Sequence, residues 1–240
     1  MGNKRNIVRS EIENMINKKN LEGLLKKCGE LHGHFCNFLT YGVIAGLYAI
    51  KKLSVSNTGM EEIIAILETN NCFSDGIQMV TGCSFGNNAL VYRDYGKTAV
   101  TVAKRNGQAV RLALDPEFED SRGEEYQEVY DLFYKLVGRR EQGSPEEYGR
   151  MMELFRDMSF EELDTPVERM FRIEMKQIDL PDFAPIFDSI KCAKCGENVM
   201  KTRAVEKNNE FLCIPCSGAS FYELNGSGIQ HSLSVYTLYL

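Results

Sequence analysis

From His34 to Ile50 the chain carries no charged side chain, and its stretch "FLTYGVIAGLYAI" is strongly apolar. Such a run must be removed from water, so the rest of the fold has to be built around it. It falls short of the ~20 residues that a membrane span needs, and it opens with His, Cys and Asn. The sequence therefore predicts a central buried helix from about His34 to Leu53. Gly42 and Gly46 lie four apart on that helix and leave a bare face that another backbone can approach closely.

Short helices precede this run. Ile12, Met15 and Ile16, then Leu21, Leu24, Leu25 and Cys28, form apolar stripes, with Ser10 and Asn20 as N-caps. Downstream, "MEEIIAILET" reads as a buried strand. "SDGIQMVTGC" reads as a short helix capped by Ser74 and closed near Gly82. "ALVYRDYGKTAVTVAK" and "QAVRLALD" alternate as strands around the hairpin dipeptide Asn106-Gly107, which predicts a meander of about three antiparallel strands. Between Asp115 and Thr165 there are 6 basic and 16 acidic residues, against a net charge of −6 for the whole chain. A solvated acidic helical face accounts for that block. Within it Tyr126, Val129, Tyr130, Phe133, Leu136 and Val137 recur at helical spacing. Ser144, Pro145 and Glu147 form a capping box, and Ser159 with Glu162 suggests a second one. "ERMFRIEMKQI" returns as a strand, and a Pro-punctuated link leads to a compositionally different tail.

The fold class predicted is α+β, a core of antiparallel strands packed with helices, plus a small C-terminal zinc finger. Residues 1–20 make an N-terminal helical extension, 21–190 the core and 191–240 the finger. The finger rests on "CAKC" at Cys192 and Cys195 and "CIPC" at Cys213 and Cys216. Two such pairs set four thiolates around a tetrahedral Zn²⁺ with no open position, which assigns this site to stability or partner binding. Gly196 suits the knuckle, and a hairpin is expected around Lys207-Asn208-Asn209. The tail has 5 basic and 4 acidic residues, so it gives no strong nucleic-acid signal and points to a protein partner.

"MGNKRNIVRSEIENM" lacks the apolar core of a signal peptide. Eight cysteines without such a signal indicate a cytoplasmic protein that uses thiols for metals or catalysis, not for disulfides. "CGELHGHFC" gathers His32, His34 and Cys36. If helical, His32 and Cys36 share a face; if extended, all three do. Cys72 and Cys83 bracket the next short helix and could converge on the same point. Taken singly, each of these residues has an ordinary structural reading as core or cap. Together His32, His34, Cys36, Cys72 and Cys83 form a candidate core site for a second transition metal, expected to be zinc. Cys36 and Asp75 are the candidate catalytic residues, Asp75 as general base or as the group that orients an imidazole. Cys28 belongs to the core, and His231 is incidental.

"HGHFC", the long apolar helix, "CFSDGIQMVTGCSFGNNAL" and "YGKTAV" together resemble the E-subunit family of formylmethanofuran dehydrogenase, over roughly residues 20–216. The resemblance implies an α+β core, a treble-clef-type zinc finger, a core metal site near His32, His34 and Cys36, and a homodimer. It carries Cys72, Asp75, Gln78, Thr81, Gly82, Cys83 and Lys97 over by position. Asn37 stands where the family usually has Pro, Ile44 where it often has Arg, and "GNNAL" replaces a loop that typically carries Lys. Those last two losses remove positive charge that an anionic substrate would use. The chain has neither a molybdopterin-sized domain nor a ferredoxin-type cysteine run, so redox chemistry on a one-carbon unit would need another subunit. Two classes of function follow. One is an accessory subunit or metal-dependent enzyme of one-carbon metabolism within a larger oxidoreductase complex. The other is a metal-sensing, metal-carrying or adaptor protein that docks a partner through the finger. A cysteine-nucleophile hydrolase ranks third, since no thiol-hydrolase signature surrounds Cys36.

Overall fold

A computed structural model describes residues 8–233. The chain divides into two compact units, Met1–Pro181 and Asp182–Leu240. In the first, helix α1 spans Ser10–Lys18, α2 Leu21–His32 and α3 Asn37–Leu53. The uncharged run thus becomes α3, buried around its whole circumference. It starts at Asn37 and not at His34, because Gly33 ends α2 with φ +89° and Cys36 is extended before α3 begins. Asn20 caps α2 as predicted, its side chain accepting the N–H of Gly23. Ser10 does not cap α1: Arg9 holds the N-cap position. The Arg9 guanidinium instead donates to the carbonyls of Met79 and Val80.

Helix α4, Phe73–Thr81, lies directly against α3, and glycines on both make this possible. A Cβ on Gly42 would run into the Phe73 carbonyl, and one on Gly76 would sit 2.6 Å from the Leu39 carbonyl oxygen. Gly46 packs on Val80. Ser74 is not the cap of α4. Cys72 holds that position, and Ser74 Oγ donates to the Thr69 carbonyl. Gly82, at φ +72°, closes the helix as predicted.

Five strands form one sheet: β1 Ile63–Leu67, β2 Leu90–Tyr92, β3 Ala99–Lys104, β4 Gln108–Leu114 and β5 Phe171–Gln177, in the order β2-β1-β3-β4-β5. Of the expected three-strand meander only the β3–β4 hairpin forms, its turn at Asn106-Gly107 placing Gly107 at φ +85°, and β5 adds to β4 in antiparallel register from much later in the chain. β1 adds to β3 in antiparallel register, its five residues all buried. β2 pairs with β1 in parallel, where the sequence predicts an antiparallel strand. The chain between those strands contains α4, and a helical crossover returns the chain in the same direction. Val100, Val102, Val110 and Leu112 join the same core as α3.

The acidic block forms α5 Pro116–Glu125, α6 Gln127–Phe133 and α7 Pro145–Glu161. Ser144 and Glu147 make both bonds of the predicted capping box. The second box does not form: Ser159 lies inside α7 and donates to the Phe155 carbonyl, and Glu162 is buried. Among the described residues the second unit holds three hairpins, β6 Ser189–Lys191 with β7 Asn198–Met200, β8 Ala204–Lys207 with β9 Glu210–Cys213, and β10 Ser220–Asn225 with β11 Gly228–Leu233. The β8–β9 turn places Asn208 and Asn209 at positive φ, as the sequence suggests. No described helix is long and apolar enough to cross a membrane.

Candidate functional site

The sequence leaves open whether "HGHFC" is helical or extended; it is neither. His32 is the last residue of α2, Gly33 turns the chain through a left-handed conformation, and Cys36 occupies the N-cap of α3. Phe35 pins this elbow, its ring 5.1 Å from Phe160 and packed where a Cβ on Gly29 would lie. Cys72 comes from the N-cap of α4, which the Gly42–Gly76 approach holds against α3. The donor atoms of His32, His34, Cys36 and Cys72 all lie within 4.8 Å of one another, a group that can hold a metal ion. Two imidazoles and two thiolates suit Zn²⁺ in tetrahedral coordination.

The surroundings fit such an ion. His32 Nδ1 is 2.7 Å from Asp75 Oδ2, while the buried Nε2 of the same ring has no hydrogen-bond partner. A carboxylate on one ring nitrogen fixes the tautomer and leaves the other as a ligand. Asp75 is held in turn by Gln78, whose amide donates to Oδ1 at 3.2 Å. Both thiols sit at helix N-termini, where the positive dipole end favours thiolate. Burial pulls the His32 imidazole down, but its bond to Asp75 and the neighbouring Cys72 raise it overall. Burial and the nearby His32 lower His34. The close approach of the two thiols pushes Cys36 up and Cys72 down.

Cys83, the fifth candidate ligand, lies outside this group. It is buried beyond the C-terminus of α4, within 3.8 Å of Asn57 Nδ2 and of the Ile63 carbonyl. Burial pushes its thiol up to about 11. Cys28 is a core residue as expected, its thiol pushed up to about 12 by burial and by the charge of Asp75. Thr81 and Gly82 shape the end of α4: Thr81 Oγ1 donates to the Ile77 carbonyl, and Gly82 turns the chain. Lys97 is exposed, and its backbone N–H donates to the Glu68 carbonyl. His231 stacks on Tyr222 in the β10–β11 hairpin.

A buried polar chain close to the elbow gives no signal in the sequence. Asn37 donates to the hydroxyls of Tyr41 and Tyr130, and Tyr41 donates to Glu162 Oε1 at 2.9 Å. Glu162 is 1% exposed, and burial pushes its carboxyl up to about 7.

In the second unit the sulfurs of Cys192, Cys195, Cys213 and Cys216 also lie within 4.8 Å of one another, and this cluster fits a zinc finger. Cys192 and Cys195 flank a knuckle closed by the N–H of Gly196 on the Cys192 carbonyl. Gly196 has φ +77°. Cys213 ends β9, and Cys216 sits on the short helix Ile214–Ser217. Backbone N–H groups of Cys195 and Cys213 bring the Cys192 thiol down to about 6.

The chain is 39% identical over 214 residues to a protein of Archaeoglobus fulgidus described as a probable S-adenosyl-L-methionine-binding protein. That alignment covers 87% of this chain and 56% of the relative, so the chain spans about half the relative's length. A solved structure, a tungsten formylmethanofuran dehydrogenase FmdE-like protein from Syntrophus aciditrophicus, shares the fold with a TM-score of 0.52. It is 21% identical, and the match covers 82% of this chain and 92% of that one. The family model described as "FmdE, Molybdenum formylmethanofuran dehydrogenase operon" matches residues 31–172, from the end of α2 to the start of β5, and the chain belongs to the FmdE family.

Proposed function

We propose that this protein is a zinc-binding accessory component of a one-carbon oxidoreductase of the formylmethanofuran dehydrogenase type. His32, His34, Cys36 and Cys72 hold the core metal, and the four C-terminal cysteines hold a structural zinc. The observation that carries this reading is the His32 ring, anchored through Nδ1 on Asp75 with its buried Nε2 left unpartnered among three other donors. Bound there, the metal supplies Lewis-acid chemistry at a site that this chain shapes. Asp75 orients His32, and Gln78 orients Asp75, so both are positioning residues. Cys36 contributes a thiolate donor and is no longer free to act as a nucleophile. The same reading takes the protein as a cytoplasmic homodimer with a treble-clef finger that docks a protein partner.

A second reading has an observation of its own. Four protein donors fill a tetrahedral ion and leave no coordination position open, as in a structural or transported metal. That favours a metal carrier, sensor or adaptor without turnover. Isolation of the tagged chain from its native host separates the two. Co-elution with a molybdenum- or tungsten-containing oxidoreductase supports the accessory role. A metal-loaded chain that elutes apart from any such enzyme supports the carrier or adaptor.

A further inference from the structure

The four donors of the core site are not held alike. His32 is fixed at both ends, by the helix that carries it and by the chain Asp75–Gln78. Cys36 and Cys72 are N-cap residues, each built into the first turn of a helix packed in the core. His34 differs. It lies in the link between Gly33 and the Phe35–Cys36 step, outside both helices. Its ring meets His32 at 4.4 Å between centroids, and no hydrogen bond to either of its nitrogens occurs among the described residues. Gly33, which hinges the link, is exposed, and nothing lies within 4 Å of where its Cβ would be. A ligating imidazole ordinarily gives its second nitrogen to a carboxylate or carbonyl that orients it. His34 lacks that restraint.

We infer that His34 is the exchangeable ligand of the core site, and that its departure opens one coordination position to a neutral nitrogen or oxygen donor. The proposal rests on the metal-binding reading given above and adds which donor leaves and what enters. The preference for a neutral donor follows from charge. Two thiolates already balance a divalent ion, and Asp75 adds a further negative charge through His32. An anion entering this site would meet a net negative environment. A neutral imine, amine, alcohol or water would not. The exchange needs no electron or proton source: one neutral imidazole leaves and one neutral donor takes its place. It also turns a filled tetrahedral set into the open three-ligand arrangement that metal catalysis requires.

The test uses the full chain loaded with ¹¹³Cd, whose chemical shift separates a four-sulfur site from a site with two sulfurs and two nitrogens. The probe is ¹⁵N-imidazole, with formate as the anionic comparison. His34→Ala is expected to keep the core resonance, to lose less than ~10-fold in core metal affinity, and to gain ¹⁵N coupling when imidazole is added. Formate should leave that resonance unmoved. His32→Ala should lose ~100-fold or more, since it removes both the donor and the anchored ring. Circular dichroism matching the wild type, with protection of α3 and β3 in hydrogen exchange, reports that the core unit of each variant is folded. If His34→Ala does not fold, imidazole added to the wild type decides the matter by the presence or absence of ¹⁵N coupling at the core resonance. Loss of the core metal in His34→Ala as complete as in His32→Ala would overturn the proposal and leave the metal site intact. Formate binding as tightly as imidazole would overturn the neutral-donor assignment. A wild type that shows only the finger resonance would instead overturn the metal-binding reading itself.

Discussion

His32 Nδ1 lies 2.7 Å from Asp75 Oδ2, and this one bond joins the end of α2 to the first turn of α4 across 43 residues of sequence. It decides which nitrogen of the ring faces the other donors. Asp75→Ala should therefore lower core metal affinity by ~10–100-fold while leaving the fold intact. Asp75→Asn, which keeps an acceptor but loses the charge, should fall between wild type and Asp75→Ala. Competition with a metal chelator, with circular dichroism as the control for folding, measures both.

The α3–α4 contact that brings Cys72 to Cys36 depends on glycine. A Cβ on Gly76 would sit 2.6 Å from a backbone oxygen that cannot swing away. Gly76→Ala is expected to destabilise the protein by ~1–3 kcal/mol or more. Urea unfolding should show a lower midpoint, and core metal affinity should fall with it because the two N-caps are pushed apart.

Glu162 makes stability depend on pH. Its folded carboxyl stands at about 7, against 4.5 ordinarily, so between those values the native state binds more protons than the unfolded state. Stability must then fall as pH rises from about 4.5 to about 7, by roughly 3 kcal/mol from this group at ~1.4 kcal/mol per pH unit. Glu162→Gln removes that slope. Denaturation measured at pH 5 and pH 8 should show the variant gaining stability on the wild type at the higher pH and losing that gain at the lower one.

The second unit has no apolar core to fall back on. Among its described hydrophobic residues only Cys192 and Cys213 are buried. Its metal must supply the missing stability. Chelation, or Cys213→Ser, should release fast hydrogen exchange across 189–217 and leave protection in α3 and β3 unchanged.

Much of this is legible in local sequence. The uncharged run fixes α3, Asn106-Gly107 fixes the β3–β4 hairpin, and the two C-x-x-C pairs announce the finger. His32, His34 and Cys36 are close along the chain, so their convergence can be anticipated, although the elbow that achieves it combines a helix end, a left-handed glycine and a helix start. Cys72 and Cys83 bracket α4 symmetrically in sequence, yet a helix of this length holds its ends roughly 15 Å apart. One ion cannot reach both. The parallel β1–β2 pair is hidden because pairing direction depends on what connects the strands, not on their composition. Glu162 reads as a capping residue beside Ser159. Its partner Tyr41 lies 121 residues away, and no local pattern encodes such a bond.

The central claim is that the core group of four holds a metal independently of the finger. Metal content per chain, measured by inductively coupled plasma mass spectrometry on wild type, Cys36→Ala and Cys213→Ala, tests it most directly. The account predicts two ions in the wild type, one for each group of donors, and one in either variant. A wild type with a single ion that survives Cys36→Ala and disappears in Cys213→Ala would contradict it.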